Sequence, residues 1–230
     1  EGYERSPVWS PDGKVLAFMA DWHGNADVFT IPMDGGLPTR LTFHSANDQP
    51  TSFAPDGKHV LFTSRRQDAP GAAIGRSAMG ELYSIPLAGG RPMQVMTTTA
   101  EYASYDPAGQ RLVFHDYKGY EDDFRKHHTS SVTRDIWIYE PKKDKYTKLS
   151  GFDGEDRNPV WSPDSSCMYF LSEQVEPTAP GDSGMNQPEA ASDRERVIPQ
   201  LDSTFNVWRI LPDKPGEQTQ ITHHQRHPVR

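Results

Sequence analysis

Trp9-Ser10-Pro11-Asp12-Gly13 is a turn phrase that the chain repeats three more times, as Phe53-Ala54-Pro55-Asp56-Gly57, Tyr105-Asp106-Pro107-Ala108-Gly109 and Trp161-Ser162-Pro163-Asp164-Ser165. In every copy an aromatic residue stands seven positions after the proline: Phe18, Phe62, Phe114 and Phe170. Apolar neighbours precede it, as in Val15-Leu16-Ala17 and Leu112-Val113. Proline presets the first turn position, and Asp-Gly accepts the tight geometry that follows. Each copy therefore predicts strand, turn, strand.

A second strand pair follows each of these hairpins. Its first members are Asp27-Val28-Phe29-Thr30-Ile31, Glu81-Leu82-Tyr83-Ser84-Ile85, Asp135-Ile136-Trp137-Ile138-Tyr139 and Asn206-Val207-Trp208-Arg209-Ile210. The closing strands are expected at Thr39–Thr42, Met93–Met96, Thr147–Ser150 and Thr219–Thr222. β-Branched and aromatic residues dominate, and no helical period survives across these runs. The strands are apolar on both faces, as sheets sandwiched between neighbouring sheets must be. Four strands per unit, with prolines spaced 44 to 56 residues apart, predict an all-β chain folded as a β-propeller of four-stranded blades. A β-sandwich of similar hairpins would not account for the constant seven-residue offset. The blades are expected over about 1–43, 44–98, 99–150 and 151–222. Arg226-His227-Pro228-Val229 echoes Arg157-Asn158-Pro159-Val160, so 223–230 reads as the start of a further blade. Four complete blades and that start predict part of a six- or seven-bladed ring.

Composition narrows the partners. The 230 residues carry 24 basic and 32 acidic side chains, a net charge of −8 that disfavours a phosphate backbone, so no nucleic acid is expected. No run approaches the roughly 20 apolar residues of a membrane helix, and no membrane partner is expected. The one cysteine, Cys167, excludes an internal disulfide framework and a thiolate zinc cluster. The opening Glu1-Gly2-Tyr3 lacks both a Met and a leader, which suggests an internal piece of a longer protein. His223-His224-Gln225-Arg226-His227 lacks metal-ligand spacing and reads as a solvated connection. Asp153-Gly154-Glu155-Asp156 lacks the alternating ligands of a calcium loop and reads as a strand-connecting turn. Gly75-Arg76-Ser77-Ala78-Met79 fails the nucleophile-elbow pattern at its last position. The glycines form no phosphate-cradling loop. Neither a catalytic residue nor a metal nor a cofactor is expected in this segment.

The phrases Pro7 to Lys14 and Asp34-Gly35-Gly36 with Leu41-Thr42 resemble the repeat of TolB-type (WD40-like) propellers, across all four blades. A narrower resemblance lies in the third blade. Gly119-Tyr120-Glu121-Asp122-Asp123-Phe124-Arg125-Lys126, followed by Arg134-Asp135-Ile136-Trp137-Ile138-Tyr139, is similar to the N-terminal propeller of tricorn-type proteases. Arg40-Leu41-Thr42-Phe43-His44 and the run from Asn158 to Ser172 fit that family too. The resemblance implies a parent that hydrolyses peptides as a serine peptidase of family S41. It also implies a non-catalytic propeller that gates substrate or docks against the parent's own catalytic and PDZ domains, and it allows a homo-oligomer of the parent. The stretch from Glu173 to Ser203 departs from the pattern, which has a short turn there. Two readings stand beside this one: the propeller of a prolyl-oligopeptidase-type peptidase, and a TolB-like protein-binding propeller with no peptidase domain. The tricorn resemblance points to the cytoplasm, the TolB resemblance to the periplasm.

Function is expected where the insertions fall. The loop between the second and third strands is short in the first blade (Met19 to Ala26). It is long in the others: Ser64 to Gly80, His115 to Arg134 and Ser172 to Thr204. Equivalent loops emerge on one face of a propeller, so three enlarged neighbours crowd one mouth. They carry a basic and aromatic rim in an acidic chain. Arg65, Arg66, Lys118, Tyr120, Arg125, His127 and His128 are the candidate contacts for a peptide or protein substrate, or for an acidic partner surface. The plainer reading is that these loops dock against another domain of the parent.

Overall fold

The computed structural model describes residues 2–67, 80–118, 133–174 and 205–224, whose strands form four antiparallel four-stranded sheets, each built from consecutive strands. The first blade holds β1 (Glu4–Trp9), β2 (Val15–Ala20), β3 (Asp27–Pro32) and β4 (Thr39–Arg40). The second holds β5 (Asp48–Phe53), β6 (His59–Ser64), β7 (Glu81–Pro86) and β8 (Met93–Thr99). The third holds β9 (Glu101–Tyr105), β10 (Leu112–His115), β11 (Ile136–Glu140) and β12 (Lys145–Lys148). The fourth holds β13 (Asp156–Trp161), β14 (Met168–Ser172), β15 (Asn206–Ile210) and β16 (Gln218–Gln220). The all-β propeller architecture read from the repeat is the one observed. The echo at residues 226–229 lies outside the described residues.

The repeated turn is held by its own side chains. Ser10 Oγ accepts from the Lys14 and Val15 N–H groups at 3.1 and 2.9 Å and donates to Asp12 at 2.7 Å. Ser162 and Asp164 reproduce this in the fourth blade, and Asp164, bonded by the Ser162 and Ser166 hydroxyls, is pushed down to about 2. In the third blade Ala108 replaces the turn aspartate. Asp106 takes over, accepting from the Gln110 and Arg111 N–H groups at 2.7 and 3.1 Å.

Each inner strand carries a bulge. Ser6, Tyr102 and Asn158 occupy it with φ of 52°, 51° and 55°; in the second blade the aligned residue is Pro50, whose ring forbids that conformation, and the bulge falls one residue later, at Thr51. The outer edge is closed by a hydroxyl latch. Thr42, Ser150 and Thr222 accept from the backbone N–H of Val28, Ile136 and Val207 at 2.9, 3.0 and 2.8 Å. They donate in turn to Asp27, Asp135 and Asn206 at 3.2, 3.2 and 3.1 Å. This is why the closing strands of blades one, three and four end before those hydroxyls: a side chain replaces the next backbone rung.

Every main core cluster straddles two blades. Val28 and Leu41 of the first blade pack with Phe53, Phe62 and Tyr83 of the second. Leu61, Leu82 and Met96 pack with Leu112 and Phe114 of the third, and Ile136 and Ile138 with Trp161, Phe170 and Trp208 of the fourth. Blade-to-blade burial explains the two-faced apolar strands of the second and third sheets, which have a neighbour on either side among the described residues. The inner strands touch in the order β1, β5, β9, β13.

Candidate functional site

The second strands run toward the end of the ring at which the enlarged loops emerge, and the first strands begin at that same end. One position before the bulge, the four inner strands carry Arg5, Gln49, Glu101 and Arg157. Three of these four, with Thr51, Thr63, Tyr102, His115, Arg134 and Asn158, line a cavity of about 320 Å³ where blades two, three and four converge. The fold thus brings to one mouth polar groups that lie more than 100 residues apart in sequence, Gln49 and Arg157 among them.

His115 anchors this mouth. Its ring is buried, with Nδ1 accepting the Asn158 N–H at 2.9 Å and Nε2 facing Glu101 Oε2 at 3.0 Å. A backbone donor at Nδ1 places the single proton of the neutral ring on Nε2, which donates to Glu101. Burial holds the His115 pKa below its ordinary value, although Glu101 opposes this. Burial alone would raise Glu101, but the His115 bond and the Arg134 charge more than offset it and hold it low. Arg134 bonds Glu155 at 2.7 Å, lies 3.5 Å from Glu101 and covers the Tyr117 ring at 4.9 Å. With His115 neutral, one guanidinium is shared by two carboxylates, and each of these groups has a partner.

Arg157 and Thr51 are not matched. The Arg157 guanidinium lies 3.9 Å over the Phe205 ring, and its buried Nε makes no hydrogen bond. The Thr51 hydroxyl, also buried and lining the cavity, makes none either. Among the described residues Arg157 has no acidic partner. A buried donor without an acceptor is costly, so these two groups offer the cavity to an oxygen-rich ligand such as a carboxylate.

The rim residues expected from the sequence divide into three groups. Arg66 turns inward, bonding Asp48 at 2.7 Å and the Ser64 hydroxyl at 3.1 Å while covering Phe62 and Tyr83. Lys118 is exposed, yet its ammonium donates to Asp135 and to the Thr133 carbonyl (2.8 Å) and lies 3.5 Å from Asp116. Arg65 follows β6 half-buried, with no ion pair among the described residues. Tyr120, Arg125, His127 and His128 lie outside the described residues. Sequence reasoning passed over Arg157, Thr51, Glu101, His115 and Arg134. The available signal was the aligned column Arg5, Gln49, Glu101 and Arg157, polar in all four copies of an inner strand.

A family model described as the tricorn protease N-terminal β-propeller domain matches residues 1–230. An uncharacterised peptidase of Bacillus subtilis, YuxL, is 26% identical over 158 residues, which cover 55% of this chain and 24% of that protein. Among solved structures, a protein assigned as TolB from Agrobacterium tumefaciens superposes with a TM-score of 0.63 at 16% identity. That match covers 94% of this chain and 63% of the other. The tricorn protease superposes with a TM-score of 0.51 at 16% identity, over 90% of this chain and 18% of the other. The chain spans about half or less of the length of the curated relatives it matches.

Proposed function

Because the chain belongs to the tricorn protease N-terminal β-propeller family, we propose that it is the non-catalytic propeller of a serine peptidase of the S41 type. In this reading the loop-bearing mouth lies on the peptide path, and its rim, Arg65 with the loop residues Tyr120, Arg125, His127 and His128, gates access or docks on the catalytic domain. The observation that carries the role is the cavity at that mouth with its two unmatched buried donors, Arg157 Nε and Thr51 Oγ1. In this reading a peptide carboxylate accepts from these donors, while the neighbouring Glu101 already faces His115 Nε2 and lies 3.5 Å from Arg134.

The test is active-site labelling with a fluorophosphonate. The 230-residue chain alone stays unlabelled, while the natural protein that carries it is labelled and hydrolyses fluorogenic peptides. A labelled isolated chain contradicts the non-catalytic assignment. A natural protein that neither labels nor hydrolyses contradicts the peptidase and favours the TolB-like binding propeller, a reading supported by the TM-score of 0.63 to the TolB structure.

A further inference from the structure

On the face opposite the enlarged loops, the third and fourth blades are separated by a groove of about 560 Å³. One wall is the β11–β12 turn with Lys142, Lys143 and Lys145, the other the β15–β16 turn with Asp213 between two prolines, and Arg111 lies between them. The walls are fixed. The Lys143 N–H donates to the Glu140 carbonyl at 3.1 Å, and the Gly216 N–H reaches across to the Leu149 carbonyl of the third blade at 2.8 Å.

The charges in this groove do not balance. Lys143 pairs with Glu140 at 2.5 Å. Arg111 is held 3.2 Å from Asp106 and 3.6 Å from Asp213, with its guanidinium 5.0 Å over the Trp161 ring. Lys142 and Lys145 are exposed and, among the described residues, enter no ion pair. A chain of net charge −8 thus concentrates four cations against two lining carboxylates in one groove.

We propose that this groove docks an acidic, extended peptide segment of a protein partner. Its volume is that of a ligand site rather than of a surface wrinkle, and its excess charge is positive. The two carboxylates in the lining choose between polyanions. A peptide with spaced acidic residues sets its carboxylates against Lys142, Lys145 and Arg111 and passes Glu140 and Asp213 with neutral residues. A phosphate backbone, charged at every step, meets both repulsions. The surface is independent of the mouth cavity, lying at the opposite end of the blades.

The experiment is fluorescence anisotropy with the whole chain and a short Glu-Gly repeat peptide, beside its Gln-Gly counterpart, at low and near-physiological salt. The Glu-Gly peptide binds and the Gln-Gly peptide does not. Lys142→Glu with Lys145→Glu weakens binding by at least about tenfold. Lys14→Glu with Lys58→Glu, the same charge change on the same face of blades one and two, weakens it by less than about twofold. If the charge reversal lowers the melting temperature, Lys142→Gln with Lys145→Gln replaces it and still weakens binding severalfold. Equal binding of the two peptides, equal effects of the two double variants, or tighter binding of a single-stranded oligonucleotide of matched charge overturns the proposal.

Discussion

Asp156 is fully buried at the start of β13, and neither of its carboxylate oxygens makes a hydrogen bond. Burial, with added repulsion from Asp135 and Glu155, raises its pKa to about 7, against which the nearby Ser172 and Ser150 hydroxyls act only in part. A raised pKa means the folded chain keeps a proton that the unfolded chain releases. Stability is therefore complete at acid pH and is lost as the pH rises from the ordinary carboxylate range to about 7, by up to about 1.4 kcal/mol per pH unit. Asp156→Asn removes this loss and stabilises the chain at pH 8 in thermal melts; an unchanged pH profile contradicts the assignment. At this scale the sequence was legible where the chemistry is local. Ser10-Pro11-Asp12-Gly13 contains its own hydrogen-bonding partners, so its turn could be read directly. Asp156 could not, because the acidic run from Asp153 reads as a turn, and only the neighbouring strands bury its last member.

At the scale of elements, His115 clips β10 to β13 by accepting the Asn158 N–H at the bulge. A protonated imidazole has no acceptor, so charging His115 breaks the clip. Its pKa is lowered by burial, so this contribution is present above the unfolded value near 6.5 and is lost as the pH falls below it. The His115 and Asp156 effects have opposite signs just below about pH 6.5 and partly cancel there in the natural chain. Chemical denaturation across that window separates them. The Asp156→Asn chain loses stability on acidification, and the His115→Gln chain gains it. Parallel profiles for the two variants contradict the clip. Strand order and hairpin turns were legible because an aromatic residue at a fixed offset marks every unit. The closing strands of blades one, three and four end two residues earlier than expected, because the Thr42, Ser150 and Thr222 hydroxyls end the backbone ladder, an effect no strand pattern carries.

At the scale of the molecule, one repeat position has two environments. Trp161 is 9% exposed and donates its indole N–H to the Ser104 carbonyl of the blade before it at 3.2 Å, while Trp9, its counterpart, is 56% exposed. Trp161→Ala opens an inter-blade core and costs about 3–5 kcal/mol. Trp9→Lys leaves the melt within about 0.5 kcal/mol and lowers self-association in sedimentation velocity, since it removes a large exposed aromatic side chain. Equal destabilisation by the two would contradict the inter-blade packing. The mouth cavity belongs to this scale as well. Gln49, Glu101 and Arg157 meet only when three blades assemble, so the sequence pointed to this face through its loop lengths but not to these side chains.

The measurement that tests the account most directly is peptide hydrolysis by the natural protein with Arg157 replaced. If Arg157 holds a peptide carboxylate at the mouth, Arg157→Ala raises KM about tenfold with kcat nearly unchanged, Arg157→Lys recovers part of the loss, and an amide-capped peptide is indifferent to either change. Unchanged KM in both variants, or an equal effect on the capped peptide, contradicts the account.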